Sequence, residues 1–105
     1  MDVIDKIKQQ IADNTILLYM KGTPEHPACG FSAKTVHALK ACGAQFSSVN
    51  VLENPDIRQA LPGYAQWPTF PQLYVKGELI GGCDIVLELH QNGELQKIIN
   101  ATKTH

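Results

Sequence analysis

Apolar residues recur along the chain with a period that changes from that of a helix to that of a strand. Ile4, Ile7 and Ile11 lie at helical spacing among polar residues, which predicts an amphipathic first helix. We expect that helix to end near Asp13. From Ile16 to Met20 every residue is apolar, which indicates a short strand buried on both faces at the centre of a sheet.

The next stretch predicts a helix followed by a second strand. A loop with two prolines, residues 22–27, leads to a helix that begins after Cys29, and Cys42 lies on its packed inner face. Gly43 occupies a position where a left-handed residue commonly ends a helix. The apolar positions within residues 46–51 predict a strand parallel to the first, because the connection between them is a right-handed crossover.

The remaining residues predict a short helix, a hairpin and a last helical region. Residues 54–56 combine a capping side chain, a proline and an acid, which is typical of a helix start, and we expect this helix to end before Pro62. Residues 73–80 predict a β-hairpin around a glycine-containing turn. We expect Asp84 to cap the last helical region, which has a break at residues 92–93.

This order of elements predicts an α/β protein with a small sheet covered by helices on both faces. A length of 105 residues suits one domain, so residues 1–105 are expected to form a single domain. In such sheets, sites form beyond the carboxyl ends of the parallel strands. Lys21 and Cys29 both fall there.

Composition and charge exclude several classes of partner. Nine basic against ten acidic residues give a net charge of -1, so we expect no extended surface for nucleic acid or anionic lipid. No apolar run reaches the roughly 18 residues of a transmembrane helix, and residues 1–10 lack the pattern of a secretory signal. Three cysteines, an odd number, favour a reducing compartment, and we expect a cytoplasmic protein.

Cys29 is the first candidate for chemistry. Unpaired backbone N–H groups and the positive end of the helix dipole favour an anion at a helix start, so the thiol is expected to have a lowered pKa. A thiolate is a nucleophile and a metal ligand. Most lone cysteines are instead buried and inert, but Pro27 and Gly30 provide little apolar cover for this one.

A dithiol redox motif has a second cysteine three residues after the first. In this chain that position is Ser32. If Cys29 attacks a disulfide, the second thiol has to come from an external small molecule or from Cys42 or Cys83. We interpret Cys42 as a packing residue. Cys83 lies at another helix start, and a redox-sensing disulfide with Cys29 requires a geometry that the sequence leaves open.

Four ordered motifs carry a resemblance to a known family. They are Lys21-Gly22-Thr23-Pro24, Cys29-Gly30-Phe31-Ser32, Trp67-Pro68-Thr69-Phe70-Pro71 and Gly81-Gly82-Cys83-Asp84. Together they cover almost the whole chain, which resembles the single-domain monothiol glutaredoxins with a CGFS motif. The resemblance implies a thioredoxin-like fold, in which helices flank a central mixed four-stranded sheet.

The same resemblance implies a glutathione site. Lys21 and Arg58 would hold the glycine carboxylate of glutathione, because lysine and arginine suit an anion. The backbone of Phe70, before a cis-proline at Pro71, would pair with the cysteinyl part, and Thr69 would flank it. Taken alone, a lysine or an arginine is most often a solvated surface charge.

At the other end of glutathione, the resemblance implies that Cys83 and Asp84 receive the γ-glutamyl group. Backbone amides at a helix start suit its carboxylate, and the Asp84 side chain suits its ammonium group. Taken alone, Asp84 is equally well explained as a helix cap.

The function implied is that of an iron–sulfur carrier. A 2Fe-2S cluster takes four ligands, whereas one chain offers one well-placed thiolate, Cys29. In the family that the chain resembles, two protomers and two bound glutathione molecules supply the four sulfurs of a bridged homodimer. Such a carrier would deliver clusters to apo iron–sulfur client proteins, and it would also pair with a BolA-type protein.

The alternative is a glutathione-dependent thiol-disulfide oxidoreductase that removes glutathione from proteins with Cys29 as catalytic nucleophile. A monothiol route needs no second active-site cysteine. The loop from Gly22 to Ala28 is longer than in dithiol glutaredoxins, which in related proteins accompanies poor thiol turnover. We therefore expect weak enzymatic activity at most.

Overall fold

The computed structural model describes residues 2–103. It contains five helices and four strands within that range, in the order that the sequence predicted. They are α1 (Val3–Asp13), β1 (Ile16–Met20), α2 (Gly30–Ala41), β2 (Ser47–Asn50), α3 (Pro55–Ala65), β3 (Gln72–Val75), β4 (Glu78–Gly81), α4 (Cys83–Gln91) and α5 (Glu94–Ala101).

The four strands form one mixed sheet in the order β2-β1-β3-β4. β1 pairs with β2 in parallel and with β3 in antiparallel fashion, and β3 and β4 form the predicted hairpin. Because β1 has a neighbour on each side, all five of its residues are buried. The expectation of a central strand over residues 16–20 is confirmed, and Lys21 follows directly at its carboxyl end.

Each face of the sheet carries its own apolar core, because successive side chains of a strand point to opposite faces. Leu18 of β1 packs with residues of α2, α4 and α5, such as Leu39 and Leu95. Leu17, its neighbour in β1, packs on the other face against α1 and α3, with Ile57 among its partners. Helices thus cover both faces of the sheet, as predicted.

One predicted boundary is wrong. α3 does not end before Pro62 but continues to Ala65 with the proline inside it. Ile57 and Leu61 are buried one turn apart on this helix, and their packing outweighs the hydrogen bond that the proline removes. The predicted second strand is confirmed: it covers Ser47–Asn50, parallel to β1 and within the predicted residues 46–51. Its first two residues are exposed because it lies at the edge of the sheet.

The last helical region breaks at residues 92–93 as predicted, between α4 and α5. Asp84 does not cap it, however. Gly82 is the N-cap of α4, and Asp84 is the second residue of the first turn. Gly43 has a φ of +69°, which confirms the left-handed residue after α2. No helix within residues 2–103 has both the length and the apolar character needed to cross a membrane.

Candidate functional site

Cys29 caps α2 with its own sulfur. Its backbone is extended, with φ -151° and ψ 152°, and the sulfur accepts a hydrogen bond from the backbone N–H of Ser32 at 3.4 Å. The hydroxyl oxygen of Ser32 lies 3.4 Å from the same sulfur. The predicted position of Cys29 at a helix start is therefore confirmed, and the half-buried thiol has two polar contacts.

The pKa of the Cys29 thiol is lowered from its ordinary value. Burial by itself would raise this pKa, but hydrogen bonds from the side chain and backbone of Ser32 and from the backbone of Phe31 outweigh it. The positive charge of Lys21 lowers the pKa further. The site therefore favours a thiolate, which is the reactive and metal-binding form of cysteine.

The Ser32 side chain connects this thiol to the end of β1. It is fully buried, and its oxygen accepts the backbone N–H of Lys21 at 3.2 Å. A hydroxyl that accepts one hydrogen bond still has its own proton to donate. When the Cys29 thiol ionises, that proton can turn to the sulfur and form a charge-assisted hydrogen bond.

The loop between β1 and α2 closes on itself through backbone hydrogen bonds. The N–H of Ala28 donates to the carbonyl of Lys21 at 2.9 Å, and Thr23 and His26 exchange bonds of 3.2 and 3.0 Å. Gly22 has a φ of +90°, and a β-carbon there would lie 2.5 Å from both the nitrogen of Ala28 and the carbonyl oxygen of His26. Glycine is therefore required at this position.

Asn50, the last residue of β2, fastens that loop to the sheet. Its Oδ1 accepts the N–H of Gly22 at 2.9 Å and the N–H of Leu52 at 3.0 Å. Its own carbonyl accepts a bond of 2.8 Å from the side chain of Asn54. No local sequence pattern predicts this role of Asn50, because Gly22 lies 28 residues away from it.

A groove of about 670 Å³ lies next to this thiol. It brings together six of the residues expected at a glutathione site: Lys21, Arg58, Thr69, Phe70, Cys83 and Asp84. Cys29 is not part of the lining, but Phe31, two residues farther along, is. Pro71 is buried and outside the lining, and the Phe70–Pro71 peptide bond is cis, as expected.

One wall of the groove is the segment that leads from α3 to β3. Trp67 lines it, and the indole N–H is buried without a hydrogen-bond partner in the described part of the chain. A β-carbon on Gly82 would lie 3.2 Å from Nε1 of Trp67 and 3.3 Å from the carbonyl oxygen of Pro71. Glycine at residue 82 thus allows the start of α4 to approach this wall closely.

The groove is lined by charged side chains of both signs, Lys21, Arg58 and Asp84. Lys21 is half-buried, whereas Arg58 and Asp84 are exposed. None of these three side chains takes part in a salt bridge within residues 2–103. The free backbone N–H groups of the first turn of α4 add partial positive charge beside Asp84. The groove is therefore suited to a molecule that carries carboxylates and an ammonium group.

The other two thiols are less accessible than Cys29. Cys42 is buried in the core between α2 and the sheet, as predicted, and burial raises its pKa. Cys83 is the first residue of α4, lines the groove and is 7% exposed. No group of three or more potential metal ligands exists within residues 2–103, so these residues alone do not form a complete metal site.

Comparisons with known proteins agree with this geometry. A family model described as Glutaredoxin matches residues 16–80. The chain belongs to the glutaredoxin family. It is 64% identical over 103 residues to Glutaredoxin 4 of Buchnera aphidicola from Acyrthosiphon pisum, a match that covers 98% of this chain and 95% of the relative. With Ser32 in place of a second thiol, this glutaredoxin is a monothiol member.

Further relatives support the same assignment. Glutaredoxin 4 of Escherichia coli K12 is 65% identical over 94% of this glutaredoxin and 86% of its own length. Reduced apo GrxS14 of poplar matches with a TM-score of 0.80 at 45% identity, over 94% of this chain and 91% of GrxS14. The holo form of poplar glutaredoxin C1 matches with a TM-score of 0.84 at 27% identity, and the match covers 96% of this chain and 90% of glutaredoxin C1. The thioredoxin-like fold is therefore confirmed.

Proposed function

We propose that this glutaredoxin binds glutathione in the groove beside Cys29 and, as a homodimer, carries a 2Fe-2S cluster to apo-proteins. The observation that carries the proposal is the single half-buried, hydrogen-bonded thiol of Cys29 next to a groove with unpaired charges. In this scheme residues 1–105 act as one glutaredoxin domain, in the cytoplasm.

The charges of the groove match those of glutathione, which has a carboxylate at each end and one ammonium group. Lys21 and Arg58 are the cations that would hold the glycine carboxylate. The unpaired amides at the start of α4 suit the γ-glutamyl carboxylate, and the Asp84 side chain suits its ammonium group. The volume of the groove lies in the range of small-molecule sites, which extends from about 300 to about 1,000 Å³.

The central part of the tripeptide would lie along the wall next to the cis-proline. Thr69 and Phe70 line this wall, and the backbone groups of Phe70 take no part in the strand pairing of β3. An extended peptide can pair with such free backbone groups, as it does at an exposed sheet edge. The glutathione thiol would then lie next to Cys29.

The donor set supports a cluster shared between two chains. A 2Fe-2S cluster takes four thiolate ligands, and within residues 2–103 Cys42 is core-buried and no local group of ligands completes a site. Cys29 would supply one sulfur from each protomer, and the two bound glutathione molecules would supply the others. Because half of the ligands are exchangeable small molecules, the cluster would be transferable to a client.

Other partners follow from the same chemistry. A BolA-type protein that offers its own ligands would replace one protomer and form a heterodimer around the cluster. Apo iron–sulfur proteins would receive the cluster by ligand exchange. The holo form described for poplar glutaredoxin C1 supports a bound cofactor in a protein of this fold.

Anaerobic reconstitution tests the carrier function. We would supply iron, sulfide and glutathione and measure visible absorption and bound iron for the wild type and for Cys29→Ser. Cys42→Ala is the matched control, because it removes a thiol that lies in the core. Colour in the wild type and in Cys42→Ala but not in Cys29→Ser is the expected result. A wild type that stays colourless contradicts the proposal.

The second candidate function is removal of glutathione from proteins, and the lowered pKa of Cys29 favours it. The Cys29 thiolate would attack the glutathione sulfur of a mixed disulfide, form a Cys29–glutathione disulfide and release the protein thiolate. A second glutathione thiolate would attack that disulfide, release oxidised glutathione and restore the Cys29 thiolate. Turnover equal to that of a dithiol glutaredoxin would make this the main function.

A further inference from the structure

Gln72 is a fully buried polar residue that none of the site assignments includes. It is the first residue of β3 and pairs with Tyr19 of β1, so its backbone belongs to the rigid centre of the sheet. A buried carboxamide is costly unless its hydrogen bonds are satisfied. The partners of this side chain therefore show what it stabilises.

The nitrogen of this side chain holds the wall of the groove. Nε2 of Gln72 donates to the carbonyl of Trp67 at 3.0 Å and to the carbonyl of Thr69 at 3.2 Å. Pro68 lies within this segment, Trp67–Phe70, and Pro71 follows it. Neither proline has an N–H to donate, so the segment can form few backbone hydrogen bonds of its own. One amide thus fixes two carbonyls that flank Pro68 on the groove wall.

The oxygen of the same side chain is held from the core side. Oε1 of Gln72 accepts the hydroxyl of Tyr74 at 3.1 Å, and the Tyr74 ring packs edge-on against Tyr19 with centroids 5.7 Å apart. Tyr19 in turn donates its hydroxyl to Gln10 of α1 at 2.8 Å. The Tyr74 bond thus satisfies the carboxamide oxygen, whereas the pairing of β3 with β1 fixes the backbone from which the side chain reaches the groove wall.

From these contacts we propose that Gln72 is a positioning residue, which fixes the Trp67–Phe70 segment and thereby sets the affinity of the groove for the cysteinyl part of glutathione. The identity of the ligand, glutathione, rests on the proposed function. The anchoring of the segment by Gln72 does not depend on which ligand binds. Because the segment is ordered in advance, it loses less conformational entropy when the ligand pairs with the backbone of Phe70.

Three variants test this role. Gln72→Met keeps the length of the side chain but removes every hydrogen bond, whereas Tyr74→Phe leaves both bonds to the segment in place and serves as control. The double variant Gln72→Met/Tyr74→Phe removes both partners of the core bond, so no hydroxyl is left without an acceptor. We therefore expect the double variant to fold even where the single Gln72→Met variant does not.

Two measurements report separately on the mobility of the segment and on glutathione binding. Trp67 is the single tryptophan of the chain, so acrylamide quenching of its fluorescence, measured without glutathione, reports on the mobility of the segment. Isothermal calorimetry gives the dissociation constant for glutathione. We expect faster quenching and an affinity about tenfold lower in both variants that carry Met, and both values within about twofold of the wild type in Tyr74→Phe.

Other results would overturn either the positioning role of Gln72 or the proposed function. Wild-type quenching and affinity in the double variant would overturn the proposal. A double variant that fails to fold would also overturn it, because Gln72 would then support the whole fold and not one segment. If the wild type itself does not bind glutathione, the proposed function fails, while faster quenching in the Met variants would still support the anchor.

Discussion

The backbone N–H of Lys21 donates to the hydroxyl oxygen of Ser32 at 3.2 Å, and that oxygen lies 3.4 Å from the sulfur of Cys29. The end of the central strand is thus joined to the Cys29 thiol through one buried hydroxyl. The serine of the CGFS motif is more than a substitute for a missing thiol, because it supports the thiolate and holds the adjacent lysine.

Ser32→Ala is expected to raise the pKa of the Cys29 thiol, because it removes a hydrogen bond to the thiolate. It also leaves the Lys21 N–H without its acceptor, and we expect the free energy of unfolding to fall by about 1 kcal/mol. Titration of thiolate absorbance and urea unfolding measure the two effects.

Thr35→Val is the control for Ser32→Ala. The Thr35 hydroxyl is buried in the same helix but donates to the carbonyl of Phe31 at 2.9 Å. Its removal should lower stability without changing the titration of Cys29. An equal pKa change in the two variants would show that the serine has no specific effect on the thiolate.

The stability of the protein should rise with pH through the titration of Cys29. The folded-state pKa of this thiol is lower than its value in the unfolded chain, so the native state binds fewer protons between the two values. The stabilisation is complete above the pKa of the unfolded chain and is lost as the pH falls through the lower folded-state pKa.

Urea unfolding of the wild type and of Cys29→Ser between about pH 5 and about pH 9 measures this linkage. The difference in unfolding free energy should grow in favour of the wild type as the pH rises. A difference that stays constant or shrinks with rising pH would show that the folded protein does not stabilise the thiolate.

Lys21→Ala and Arg58→Ala should each weaken glutathione binding about three- to tenfold, because in the proposed function each cation holds the glycine carboxylate of glutathione. The affinity of the wild type should also fall with added salt, since Arg58 is exposed. Lys97→Ala is the control, because Lys97 lies in α5 and pairs with Glu94. If calorimetry finds wild-type affinity for glutathione in all three variants, neither Lys21 nor Arg58 contributes to the glutathione site.

Asn50→Leu should lower the free energy of unfolding by about 2 kcal/mol, because the N–H groups of Gly22 and Leu52 lose their acceptor. Asn50→Asp keeps an oxygen at the same place and should cost less than half of that amount. Chemical denaturation compares the two. Equal losses would mean that the carboxamide oxygen does not hold the loop.

The sequence predicted the elements whose signals are local. Ile16–Met20 was assigned correctly because an unbroken apolar run of strand length has few other interpretations. The end of α3 was wrong, since Pro62 is a strong local stop signal and the contrary evidence, the burial of Ile57 and Leu61, is tertiary. The edge strand was predicted within residues 46–51 and lies at Ser47–Asn50, parallel to β1, although its first two residues are exposed serines.

In the site, too, features with local sequence signals were predicted and features that depend on tertiary contacts were not. The position of Cys29 at a helix start and the cis-proline were predicted from ordered motifs and are confirmed. Lys21 lies in such a motif, whereas Arg58 was proposed from the family resemblance alone. Asn50 and Gln72 were missed, because each acts through a side chain that reaches the backbone of another segment. Such contacts leave no periodicity in the sequence. Gln72 would have been interpreted as an ordinary polar residue at a strand end.

The most direct test of the central claim is native mass spectrometry of the protein reconstituted anaerobically with iron, sulfide and glutathione. We expect a complex of two chains, one 2Fe-2S cluster and two glutathione molecules, and we expect it to be absent when glutathione is omitted or when Cys29 is replaced by serine. A cluster held by one chain, or one held in the same amount without glutathione, would contradict the central claim.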